Sequence, residues 1–345
     1  MKDSKLEKEL VMSFDKRELK NLFNRIGGVM LFFLVVTNVV SGGAYLFGAW
    51  FTINNSSVSA EVTAELLNAL AYAVSFLLPV GFFYAISKKK QTEPVGLSLE
   101  SSEEMPVLAT LAVVFLGSSA CLASSYVNSI LFPVSDRAYD IYFAQELGGG
   151  YSLVLMFISV AIIPAFVEEL LFRGVILSNI RPYSESDAVL ISAILFGLMH
   201  QAPYQLFYTT AVGVILGVIR VKTGSIWMGV LVHFFNNFYS ILQSYLLERY
   251  DASTGETLYM ILTMSVILVG AILGAVLYGV HMCRKRPKAI ETIGFFQRPA
   301  LQVGTAVRKQ ENVAIYKAFF CPTIIAFIVI SALTMITMAI ELNGV

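Results

Sequence analysis

The sequence predicts an all-α fold, a polytopic transmembrane helix bundle of about nine spans, with the amino terminus in the cytoplasm and the carboxyl terminus outside. Three observations predict it. Hydrophobic residues make up 57% of the 345 and charged residues 14%, with a mean hydropathy of +0.71, which is more apolar surface than a water-soluble core can bury. Nine apolar stretches approach or exceed the ~20 residues that a bilayer crossing takes. The basic residues also fall on alternate connections between those stretches, as the positive-inside rule requires.

The stretches run at about residues 27–50, 65–87, 106–132, 151–178, 187–201, 203–220, 225–247, 257–282 and 318–340. The segment before the first holds Lys2, Lys5, Lys8, Lys16, Arg17, Lys20 and Arg25. It is too long and polar to be the charged region of a signal peptide. With that end in the cytoplasm, Lys88–Lys90, Arg181, Arg220, Lys222, Arg284–Arg286 and the basic 287–317 segment all fall on the same side. Only Arg137 and Arg249 of the 24 basic residues remain outside. The fifth and sixth stretches are short and meet at "HQAP", so they predict a tight helical hairpin buried among its neighbours. The external loop 133–150 is acidic and ends in a glycine run, and serves as a lid or as a plain connector. The 287–316 segment lies on the inner membrane surface against anionic lipid, or is a solvated linker to the last helix. Cys121, Cys283 and Cys321 lie in or beside apolar segments at no metal-ligand spacing, so no disulfide framework is expected. The net charge of 0 says little about partners, because the charges are segregated rather than absent.

Within the fourth stretch, "FVEELLFRG" (166–174) places Glu168, Glu169 and Arg173 where an ionised side chain costs ~2.5–3.5 kcal/mol. Of the three histidines, His281 sits beside "CRKR" at a helix end, where a cation suits the helix terminus. His200 and His233 lie inside apolar runs. If the fourth helix runs inward to about Ile180, the fifth outward from Ser186 and the seventh outward from Ser225, depths follow from the rise of 1.5 Å per residue. Glu168 then lies about 18 Å from the cytoplasmic ends, His200 about 21 Å, His233 about 12 Å and Asn237 about 18 Å. Phe196 and His200 share a helix face, as do His233 and Asn237, and Glu169 precedes Arg173 by four residues in the favourable order for an ion pair. Glu168 is turned about 100° from Glu169 and points elsewhere.

A carboxylate with two imidazoles and an amide is a set for activating water and holding an oxyanion. Glu168 is the candidate general base and His200 orients the water or shares its proton. His233 and Asn237 are candidate donors to the tetrahedral oxygen. Glu169 and Arg173 support the site. No serine or cysteine has an evident base partner, which argues against a covalent intermediate.

"EELLFR" (168–173), "FGLMH" (196–200) and "HFFNN" (233–237) resemble, in order, the EExxxR, FxxxH and HxxxN motifs of the CPBP intramembrane proteases. That family includes the type II CAAX prenyl endopeptidases and the bacteriocin-processing and immunity proteins also called Abi. The resemblance implies an intramembrane endopeptidase of the bacterial cell membrane. It assigns the water to Glu168 and His200, the oxyanion site to His233 and Asn237, and support to Glu169 and Arg173. It divides the chain into a basic amino-terminal segment (1–26), helices one to three (27–149), a catalytic core of helices four to seven (150–247), and helices eight and nine with a basic loop (248–345). The expected partners are a peptide or protein substrate, lipidated or not, and membrane lipids, with no nucleic acid. Family members are often labelled metalloproteases. Zinc would take Glu168, His200 and His233, but the spacing is not that of an HExxH helix and a metal-free reaction is favoured. The alternatives are a non-catalytic immunity or scaffolding protein of the same architecture, and a transporter with Glu168 and His200 as a proton relay.

Overall fold

The computed structural model describes residues 16–54, 58–87, 107–132, 150–284 and 314–343. The 133–150 loop, except its last residue, and most of the 287–316 segment lie outside the described residues. Those described form nine helical rods, a short helical stretch at residues 314–319 ahead of the last rod, and no strand. The rods are α1 (Lys16–Asn54), α2 (Val58–Ile86), α3 (Val107–Leu131), α4 (residues 150–180), α5 (Glu185–Met199), α6 (Leu206–Thr223), α7 (Ile226–Arg249), α8 (Ala252–Arg284) and α9 (Pro322–Asn343). Seven are long and apolar enough to cross a membrane. The other two are α5, at 15 residues, and α7, where His233, Asn236, Asn237 and Gln243 interrupt the apolar run.

The chain begins its first rod well before the apolar stretch read from the sequence. Leu19, Leu22, Phe23 and Ile26 are buried at helical spacing, with the Phe23 ring edge-on to Phe319 at 6.0 Å. Lys16, Arg17 and Lys20 occupy the exposed face of the same turns. The apolar stripe therefore starts α1 within the basic segment that precedes the apolar run.

Helix ends follow local chemistry. Ser184 caps α5 by accepting from the Asp187 N–H, and Glu185 and Asp187 in the first turn suit the helix dipole. Gly224 ends α6 in the left-handed region at φ 69°, and Ser225 at once caps α7 by accepting from the Trp227 N–H. At the other end of the α5–α6 hairpin, His200 closes α5 and Gln201 takes φ 53° to start the return. His200 thus sits at the end of its helix and not inside it.

Side-chain pairs fix the relative directions. The α5–α6 hairpin is antiparallel and so close that a Cβ on Gly213 would lie 2.9 Å from the Ala193 Cα. Helices α1 and α2 are antiparallel, with Phe33 on Phe76 and Gly48 on Ala64. Glu65 on Ser159 and Tyr72 on Glu168 make α2 and α4 parallel. Helices α4 and α7 run antiparallel, with Phe157 against Phe238 and Phe166 against Trp227. Helix α8 lies antiparallel along α3, and α9 parallel along the start of α1. Each pair agrees with successive rods reversing direction. The main core gathers α1, α2, α4, α5 and α9 around Phe76, Phe172 and Phe196.

Candidate active site

Helix α4 is central, in contact with α2, α5, α6 and α7. It is not a uniform α-helix. Wider π turns at Phe157–Ile162 and Leu170–Leu177 bracket the α-helical stretch Ile163–Glu169, which opens on Pro164. Such turns add a residue to the local repeat and re-aim the side chains on either side. Here they frame the two glutamates.

Glu169 and Arg173 are both fully buried and pair directly, Nη1 to Oε1 at 2.6 Å. Arg173 also donates through Nη2 to the Gly213 carbonyl at 3.0 Å, and its guanidinium lies over the Phe196 ring, 4.6 Å from the centroid. Gly213 therefore serves twice, admitting α5 and offering its carbonyl to Arg173. Across from the pair, Gly229 on α7 makes space for the acid, because a Cβ there would come within 2.7 Å of Glu169 Oε2.

Glu168 faces the other way. Its Oε1 accepts a hydrogen bond from the Tyr72 hydroxyl on α2. Its Oε2 is buried without a hydrogen-bond partner among the described residues, and His233 Nε2 lies 3.8 Å from it. His233 bridges both acids, with Nδ1 3.3 Å from Glu169 Oε1. The Phe196 ring packs edge-on to both imidazoles, 4.9 Å from His200 and 5.8 Å from His233. His200 Nδ1 lies 2.8 Å from the Phe196 carbonyl, which places the proton on Nδ1 and leaves Nε2 as an acceptor.

One turn along α7 a directed chain of hydrogen bonds orients Asn237. The Tyr208 hydroxyl donates to Asn236 Oδ1 at 2.8 Å, and Asn236 Nδ2 donates to Asn237 Oδ1 at 3.2 Å. Asn237 Nδ2 then donates to the Val160 carbonyl, in the first π turn of α4, at 3.1 Å. With its oxygen engaged by Asn236, Asn237 has one amide N–H left to give.

Glu168, Glu169, Arg173, His200 and His233 therefore come together through α4, α5 and α7, and Asn237 lies one turn beyond, tied to α4. Tyr72, Asn236, Tyr208 and Gly229 were not singled out by the sequence. Tyr72 is one of 16 tyrosines and sits in an apolar run like many of the others. Asn236 had a signal, since it doubles the asparagine inside an apolar helix.

Residues 150–239 match the family model of the type II CAAX prenyl endopeptidases, Rce1-like. No curated protein and no solved structure matches the chain. The Rce1-like segment takes in α4, α5, α6 and the first part of α7. It holds every side chain just described except Tyr72.

The donor set tests whether zinc fits. Among the described residues no three His, Cys, Asp or Glu side chains converge as a metal-binding group. His200 Nδ1 is spent on a carbonyl and His233 Nδ1 on Glu169, so only the two Nε2 atoms and Glu168 Oε2 could ligate. Those three atoms are the ligands that zinc would take, with the two Nδ1 positions held as outer-shell partners, and no step below is routed through a metal.

Proposed function

We propose that the chain is an intramembrane endopeptidase that cuts a membrane-associated peptide or protein, lipidated or not, with water activated at Glu168. The observation that carries this reading is the buried Glu168 Oε2, unpartnered among the described residues and facing an imidazole nitrogen 3.8 Å away. An orphan acceptor in an apolar interior is costly unless something else is meant to bind there. Water fits the place. Glu168 Oε2 removes its proton while His200 Nε2 accepts the second O–H, and the oxygen attacks the peptide carbonyl carbon. Negative charge moves to the carbonyl oxygen, where the free N–H of Asn237 and an N–H at His233 Nε2 donate. The C–N bond then breaks and Glu168 returns its proton to the departing amine. Glu169 and Arg173 hold the helix and the ring of His233 in place. The similarity of residues 150–239 to a prenyl endopeptidase family supports the reading.

Cleavage is tested without choosing a substrate in advance. Peptide termini are compared in membranes of cells producing the wild type or Glu168→Gln, with a prenylated CAAX peptide added as one reporter. New termini confined to the wild type are expected. Identical termini in both would overturn the reading.

In the membrane we place all nine rods as crossings, with the amino terminus in the cytoplasm of a bacterial cell. The alternating helix directions support this, as does the position of Arg181 and Lys222 at matching rod ends. A reporter active only outside the cytoplasm should score when fused after Asn54 and stay silent after Ser87. The reverse pattern sinks the orientation.

The reaction is proposed to be metal-free. Purified protein should hold well below one zinc per chain by elemental analysis and keep its cleavage rate after prolonged chelation. Stoichiometric zinc, lost and regained together with activity, would overturn that part while leaving the same side chains as the site.

A further inference from the structure

We infer that Tyr72, on α2 and outside the Rce1-like segment, is a positioning residue of the site that assigns proton abstraction to one oxygen of Glu168. The inference rests on the reading of Glu168 as the base. The two oxygens of a carboxylate are chemically alike and exchange by a half-turn about the last bond, a broad two-fold torsion. Near a single water, half of those orientations are idle or misdirected. Tyr72 removes the equivalence. Its hydroxyl donates to Oε1, and Oε2 is left buried, unpartnered and turned toward His233 Nε2.

The tyrosine is itself held. Its ring packs on Phe76 at 5.0 Å, and Phe76 packs on Phe33 of α1 at 4.8 Å, so the hydroxyl is aimed from two helices behind it. Glu65 lies seven residues earlier on α2, hence on the same face. It accepts from Ser159 Oγ of α4 at 3.0 Å. These two bonds, two turns apart, fix the register of α2 along α4, and any slip would withdraw the hydroxyl from Glu168. A helix beyond the matched family segment thus supplies the contact that gives the carboxylate a working side.

The test needs one measurement free of catalysis and one that includes it. With 3-fluorotyrosine placed at position 72 alone, the fluorine resonance of the purified protein should move when Glu168→Gln replaces the charged acceptor with a neutral one. It should not move with Ser265→Ala, a remote change on an exposed face of α8. Tyr72→Phe keeps the ring on Phe76 and deletes only the hydroxyl. On a synthetic peptide spanning a cleavage site found in the comparison of termini, it should lower kcat about 10–100-fold, the scale of one hydrogen bond to a charged group. KM should stay within about twofold while kcat falls, a split that a merely structural tyrosine would not give. A fluorine resonance indifferent to Glu168→Gln overturns the inference. So does Tyr72→Phe at full kcat when Glu168→Gln is inactive. If Glu168→Gln cleaves at the wild-type rate, the catalytic reading falls first and the role of Tyr72 falls with it.

Discussion

Glu168→Gln should abolish cleavage and leave the fold intact. Glutamine keeps the volume of the side chain, and its amide oxygen can still accept from Tyr72, so neither the α2–α4 contact nor the packing around Phe196 is disturbed. What disappears is the acceptor for the proton of water, because the amide nitrogen that replaces Oε2 has no basicity to offer. General bases contribute ~10²–10⁴ to a rate, and with no second carboxylate free to substitute, the loss should reach the upper end. Glu169 does not take over, since Arg173 and His233 hold its Oε1 and its Oε2 is turned toward Gly229 on α7. Stability should stay level or rise, because an ionised group in an apolar interior is being replaced by a neutral one. The measurement is the cleavage rate beside a thermal unfolding curve in the same micelles. A variant with half the wild-type rate would remove Glu168 from the chemistry.

Breaking the Glu169–Arg173 pair should cost stability more than any other change in the core. Arg173 is fully buried, and its charge is answered by one carboxylate, one carbonyl and one aromatic face. Arg173→Ala leaves Glu169 with only His233, and Glu169→Gln leaves a buried guanidinium without its counter-charge. Removing one partner of a buried ion pair costs ~3–5 kcal/mol, whereas replacing both with apolar groups of similar size is often near neutral. The double variant Glu169→Leu with Arg173→Met should therefore recover much of the stability that either single variant loses. Equal unfolding temperatures for Arg173→Ala and the wild type would show that the pair carries no structural weight.

The contrast between these two glutamates was legible from spacing alone. Four residues separate Glu169 from Arg173, and one residue turns Glu168 away, so one acid had a partner within its helix and the other did not. The helices themselves were equally plain, because runs of apolar residues of bilayer length leave little else to form. What stayed hidden lay between helices. His233 bridges both acids, Gly229 is small because Glu169 needs the room, and Tyr72 reaches the site from a helix with no motif. Such pairings depend on which faces meet, which one sequence does not encode at any fixed offset. The π turns of α4 were hidden for another reason. They shift the repeat by one residue, so depths counted at a constant rise drift near the very residues of interest.

The shortness of α5 bears on the supply of a reactant. Fifteen residues rise about 22 Å, while the hydrocarbon layer is about 30 Å thick. With the Ser184 cap at one boundary, the turn after His200 stops several ångströms short of the other. Backbone groups at such a depth need partners that oil does not provide. Tyr204 finds one in the amide of Asn128 on α3. Hydrolysis consumes solvent, and solvent must descend to the scissile bond from some shore. If the rods cross the membrane as proposed, the truncated hairpin brings that shore down toward His200, and the distance a water molecule travels is set by a helix that ends early.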